Sequence, residues 1–94
     1  MDNIDRPRVR VDFNEMIEQD VVLLAVNDFV ENSSGERIAL EEGLRVDLYG
    51  EDADEDGRPT YLLASGVAER HSATDWSGRA RWRCRIDEWR EAPR

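Results

Sequence analysis

Arg79-Ala80-Arg81-Trp82-Arg83-Cys84-Arg85-Ile86 alternates a guanidinium with an apolar or small side chain along its whole length. Successive side chains of a strand point to opposite faces, so Ala80, Trp82, Cys84 and Ile86 share one face and the four arginines the other. A helix would scatter both sets around its circumference. The stretch therefore predicts a half-buried antiparallel strand. Its register carries a consequence for Cys84, which falls in the core as an inert thiol. Burying four guanidinium groups instead would be far more costly.

The same period recurs upstream. Arg8–Phe13 places Val9, Val11 and Phe13 on one face, and Leu44–Tyr49 does so with Leu44, Val46 and Leu48. Asp20–Val30 contains the unbroken apolar run Val21–Val26 and predicts a more deeply buried strand. Thr60–Glu69 makes a fifth, with Gly66 where a bulge would bend it. Turn signals separate them: Asn32-Ser33-Ser34-Gly35, Glu41-Glu42-Gly43, an acidic loop over 51–59 and a polar loop over 70–78. Helix is confined to single turns over Asn14–Glu18, capped by Asn14, and over Asp87–Ala92 before Pro93.

Ninety-four residues, 39% hydrophobic, suffice for one small core and no second. Short strands at close spacing in so small a chain predict an all-β domain. Its form is a small antiparallel barrel of five to six strands, since closure removes edges open to aggregation. The core spans about 8–87, with frayed tails over 1–7 and 88–94. Leu40-Glu41-Glu42-Gly43-Leu44-Arg45-Val46-Asp47-Leu48-Tyr49, followed by a loop and a second strand, resembles the opening hairpin of SH3-like barrels. The resemblance covers about a third of the chain and implies architecture only. An OB-like barrel and a small sandwich are the alternatives.

Charge narrows the function. The chain carries 22 acidic and 13 basic residues for a net −9, and every basic residue is arginine. Residues 12–56 hold most of the acids and only Arg37 and Arg45, whereas the last third is arginine-rich. A body this acidic repels a polyanion, which argues against nucleic acid as partner. The Arg79–Arg85 row either pairs with acids of neighbouring strands or docks a partner rich in carboxylate or phosphate. The acidic stretch either keeps the protein soluble or occupies a partner's cationic groove. No apolar run is long enough to span a membrane, and no apolar segment of a secretory signal opens the chain, which points to the cytoplasm.

Chemical motifs are few. Asp52-Ala53-Asp54-Glu55-Asp56-Gly57 matches the first half of an EF-hand loop, but Pro59 and Leu63 stand at positions eight and twelve. Asp52, Asp54 and Asp56 are thus weak calcium candidates only, and no metal or other cofactor is expected. His71, the only histidine, would need a nucleophile beside it and an acid such as Asp75 to orient it. With no phosphate loop and no room for a deep pocket, an enzyme is not expected. The expected function is a non-enzymatic module that docks a protein partner, as a monomer or weak homo-oligomer. Tyr49, Tyr61 and Trp76 would supply the contact, with Arg81 and Arg83 nearby. The alternative is an acidic decoy that blocks a cationic nucleic-acid-binding or toxin protein.

Overall fold

The computed structural model describes residues 4–94. It is all-β: a curled six-stranded half-barrel sheet with one small hairpin, and no α-helix among the described residues. The strands are β1 (Val9–Arg10), β2 (Met16–Glu18), β3 (Val21–Ala25), β4 (Phe29–Glu31), β5 (Arg37–Ala39), β6 (Arg45–Ala53), β7 (Pro59–Arg70) and β8 (Trp82–Pro93). Sheet order is β1-β6-β7-β8-β3-β2, and β4 pairs with β5 alone. All pairings are antiparallel except β1 with β6.

Period-two patterning builds this sheet. Val46 and Leu48 on β6, Ala64 and Ala68 on β7, and Trp82, Cys84 and Ile86 on β8 share the inner face. Val9, Val22, Leu24 and Leu40 complete the buried cluster, with Val30 and Ile38 of the β4–β5 hairpin packed against it. Cys84 is fully buried, and burial pushes its thiol up to about 12. Native protein should therefore react slowly with a thiol reagent and quickly once denatured. Rapid labelling of the native state would place Cys84 on the other face.

Gly66 sits where the ladder breaks. Ser65 pairs with Glu88 and Gly66 with Ile86, so β8 carries Asp87 as an extra residue. A Cβ on Gly66 would lie 2.1 Å from the Arg85 carbonyl oxygen, an approach only glycine permits.

Several elements depart from the sequence reading. Asp20–Val30 is two strands, because the chain turns at Val26–Asp28 and leaves Val26 exposed. The turn expected over Asn14–Glu18 is a 3₁₀ turn at Phe13–Glu15 capped by Asp12, whose carboxylate accepts from the Asn14 amide, and Met16–Glu18 is strand. The acidic loop shrinks to 54–58, since β6 and β7 pair out to Ala53 and Pro59. Most consequentially, Asp87–Ala92 is neither helical nor part of a frayed end: β8 continues to Pro93, paired with β7 throughout. Of the expected tail over 1–7, residues 1–3 lie outside the described residues.

Arg8 departs furthest. Its side chain is 2% exposed, and one guanidinium nitrogen donates to the Leu48 and Ala64 carbonyls at 3.1 and 2.9 Å. Nε donates to Asp5 at 3.0 Å. Its backbone exchanges bonds with Ser33, which pins the β4–β5 hairpin loop to β1. A polar position in an alternating strand has become an internal tie between three parts of the sheet.

Candidate functional site

The five expected contact residues do not converge. Tyr49 on β6 and Tyr61 on β7 meet edge to face, ring centroids 5.7 Å apart, with the Arg94 guanidinium 5.4 Å from the Tyr61 ring. Trp76 is 58% exposed in a second 3₁₀ turn, Trp76–Arg79, which follows β7. Strand rise puts Tyr61 and Arg70 about 30 Å apart along β7, so the tyrosines and Trp76 lie at opposite ends of the sheet. Arg81 and Arg83 belong to the Trp76 end, where Trp82 pairs with Arg70.

The arginine row is internally paired. Arg83 and Arg85 both donate to Glu69 on the neighbouring β7, at 3.0 and 3.1 Å, and Arg85 also lies 3.6 Å from Glu18. Arg81 reaches Asp28 at 3.2 Å, and Arg79 meets Glu15. Hydrogen bonds from Arg85 and then Arg83 hold the Glu69 carboxyl below its ordinary range against the cost of burial. The Trp82 indole N–H and Arg81 do the same for Asp28, and Arg45 for Asp87. Arg83→Gln should cost on the order of 1 kcal/mol in a denaturant titration, because the pair is partly shielded from water. No loss would mean that Arg83 is not held by Glu69.

These lowered carboxyls also set an acid limit. Each contributes stability that is complete above its ordinary value, 4.5 for Glu69 and 3.8 for Asp28 and Asp87. That contribution is lost as pH falls through the lower folded value. The denaturation midpoint should hold between pH 7 and 5 and fall below pH ~4. A midpoint unchanged at pH 3 would contradict the pairing.

The motif residues are occupied by the fold. Asp54 caps its own hairpin, accepting from the Asp56 and Arg58 amides at 3.0 and 2.9 Å. Asp52 lies on β6 opposite Thr60, and Asp56 is near Arg58. Among the described residues no group of three or more metal-ligating side chains is gathered. His71 does find a serine: its Nε2 is 3.0 Å from Ser77 Oγ. Asp75, however, accepts a hydrogen bond from the Ser77 hydroxyl at 2.6 Å rather than orienting the ring. That hydroxyl bond, with the Ser77 amide, lowers the Asp75 carboxyl. Ser77 Oγ thus accepts from His71, the reverse of an activated nucleophile, and Ser77 is buried. The three residues build the turn before β8.

The feature that sequence reasoning missed is a three-stranded arm. The turn after β1 crosses the inner face of the sheet, where Phe13 packs against Gly50 and lies 5.3 Å from the Trp89 ring. Beyond Phe13, residues 51–53 of β6 pair with 59–61 of β7 and residues 60–64 of β7 with 89–93 of β8, and among the described residues no further strand pairs with 51–53 or 89–93. Trp89 stays 39% exposed there, its indole N–H fixed by Asp20 at 2.8 Å. Asp20 can make that bond because it turns the chain at φ 61°, and its carbonyl accepts from Ile86. Two recesses flank the arm. One of about 710 Å³ is lined by Arg10, Val11, Phe13, Asn14, Glu51 and Leu62, among others. The other, about 420 Å³, lies between the hairpin tip (Asp54, Glu55, Asp56) and Glu91.

Charge on the arm is one-sided. Every arginine of the chain is already engaged: Arg37 and Arg70 lie over Phe29 and Trp82, and the others stand within 4 Å of a carboxylate. Arg90, the cation of the arm's β8 edge, is held by Asp5. Among the described residues Asp54, Glu55 and Glu91 have no ion pair within that distance, and Glu88 feels Arg45 only at longer range. The charge left to face a partner is therefore carboxylate.

No family model, no curated protein and no solved structure matches the chain. The class it defines rests on its own geometry: a small all-β domain with a projecting, acidic three-stranded arm.

Proposed function

We propose that the chain is a non-enzymatic binding module of the cytoplasm that docks a protein partner, and that the partner presents a basic surface to the arm. One observation carries this reading: all 13 arginines are engaged within the fold, while among the described residues Asp54, Glu55, Glu88 and Glu91 have no arginine within 4 Å and Trp89 between the last two is part-exposed. Aromatic side chains ringed by charge are common anchors of protein interfaces. The Arg81–Arg83 region contributes stability rather than contact. Nucleic acid is disfavoured as a partner because its phosphates would meet net −9 and no unpaired guanidinium. The buried, proton-donating Ser77 and the buried Cys84 thiol offer no nucleophile, which supports a binding role over catalysis.

A narrower second reading uses the same observation. Carboxylates clustered at Asp54–Asp56 and Glu91 suit an acidic decoy that fills the cationic groove of a nucleic-acid-binding or toxic protein. Calorimetry with a basic polypeptide such as polylysine tests both. Binding should weaken strongly in Glu88→Gln/Glu91→Gln and little in Glu31→Gln/Glu41→Gln. A decoy should lose affinity steeply with added salt, whereas anchoring by Trp89 should leave a salt-resistant part. Equal weakening in the two double variants, or tight binding of duplex DNA, would overturn the proposal.

A further inference from the structure

Among the described residues, one edge of the arm has no strand beside it. β8 pairs with β7 along its full length, but with β3 only from Trp82 to Arg85. The bond from the Ile86 amide to the Asp20 carbonyl is the last backbone bond on that side among the described residues. Beyond it the Arg94 amide donates to Pro59 on β7. In an antiparallel pair the backbone groups of alternate residues point to alternate sides. Glu88, Arg90 and Ala92 share Arg94's orientation and bond to β7, whereas Trp89 and Glu91 direct their N–H and C=O groups outward. We propose that this edge, Glu88–Ala92, takes up an extended basic segment of a protein partner as an added strand. The proposal rests on the reading of the arm as the docking surface and specifies how the arm is used.

Three features select that occupant. The edge spans five residues, about 17 Å, which is room for a short strand and no more. The side chains along it are acidic where they are unpaired: Glu88 and Glu91, with Asp54–Asp56 beside Glu91 across the 420 Å³ recess. An incoming strand must supply lysine or arginine to meet them. The Trp89 ring stands on the inner face, steadied by Phe13 and by Asp20, so an apolar residue of the incoming strand has a fixed partner. Glu91 shares that inner face and Glu88 lies on the outer one with Arg90 and Ala92, so an alternating strand sets its basic residues against one of the two carboxylates and its apolar residues beside Trp89 or Ala92.

A second copy of this chain fits poorly. Two β8 edges related by a two-fold axis centred on Glu91 or Arg90 would set like charges together, the register centred on Trp89 would face Glu88 with an Arg90 already held by Asp5, and each body carries −9. The Asp87 bulge and terminal Pro93 also shorten the edge, as devices against self-association do. What remains is an edge better matched to an opposite charge than to its own kind.

The test uses a synthetic octapeptide of alternating lysine and valine, with two relatives N-methylated on either the lysines or the valines. All amides of one set in a bound strand face the protein and those of the other face solvent. The expected result is that one methylated peptide binds at least tenfold more weakly than the parent and the other does not. The parent should also slow hydrogen exchange at the Trp89 and Glu91 amides at least tenfold. Equal binding by all three peptides, without that protection, would overturn strand addition while leaving a charge-based docking surface intact. Failure of all three to bind would overturn the docking reading as well. Protection of Trp89 and Glu91 in peptide-free protein that sediments as a dimer would give the edge to a second copy and contradict the proposal.

Discussion

Gly66→Ala is expected to remove about 3 kcal/mol or more of folding stability, read as a lowered urea midpoint. An alanine Cβ there would sit 2.1 Å from the Arg85 carbonyl oxygen and 2.8 Å from the Arg85 carbonyl carbon and Ile86 Cα. These are backbone atoms of a paired strand, so no rotamer change relieves the overlap. The bulge at Asp87, which redirects β8 out of the barrel and into the arm, would have to open. Gly50→Ala offers the comparison: its Cβ meets the Phe13 ring at 2.6 and 2.8 Å and the Val11 carbonyl oxygen only at 3.2 Å, so the two closest atoms belong to a side chain that can shift. It should cost distinctly less. A Gly66→Ala midpoint equal to wild type would mean that β7 and β8 do not approach closely at this point.

Arg8→Ala is expected to cost about 3 kcal/mol, because it strands polar groups arranged around a buried cation. The Leu48 and Ala64 carbonyls lose a donor within the sheet, and Asp5 loses one of its three arginine partners. Asp5 is part-exposed and keeps Arg6 and Arg90, which limits the loss. Arg8→Lys should recover little of it. A single ammonium cannot address Asp5 and two carbonyls in the directions a guanidinium fork does. A change below about 0.5 kcal/mol for Arg8→Ala is what an ordinary surface site gives, and would show that the guanidinium is not buried.

The sheet was legible in the sequence wherever one face is buried and the other wet. Trp82, Cys84 and Ile86 alternate with arginines that find Glu69 and Asp28, and Val46 and Leu48 alternate with Arg45 and Asp47. In such stretches binary pattern and burial agree. The pattern failed where both faces are exposed. Asp87-Glu88-Trp89-Arg90-Glu91-Ala92 has the composition of a helical turn, and only pairing with β7 holds it extended. Beyond residue 87 every β8 side chain is exposed or half-buried, so no alternation is left to read there. Arg8 was hidden for the opposite reason: it occupies a polar slot in an alternating strand, and nothing local reveals that Asp5, Leu48 and Ala64 converge on it.

The candidate site shifted for the same reason. Tyr49, Tyr61 and Trp76 were gathered by residue type, but the length of β7 separates the tyrosines from Trp76. Trp89, the tryptophan on the arm, needed the extension of β8 to be placed at all. The arginine row invited a docking role until each member's carboxylate was located on a neighbouring segment. One signal was available from composition alone: with 22 acids and 13 arginines, full pairing of the arginines must leave carboxylates over.

The most direct test of the arm as the contact surface is an assigned amide spectrum of the protein titrated with the lysine–valine octapeptide. The account predicts shifts concentrated at Gly50–Thr60 and Glu88–Arg94, with the Trp89 indole N–H among the largest, and little movement at Trp76, Arg81 or Arg83. Shifts centred on Trp76 and the arginine row, with Trp89 unmoved, would contradict it.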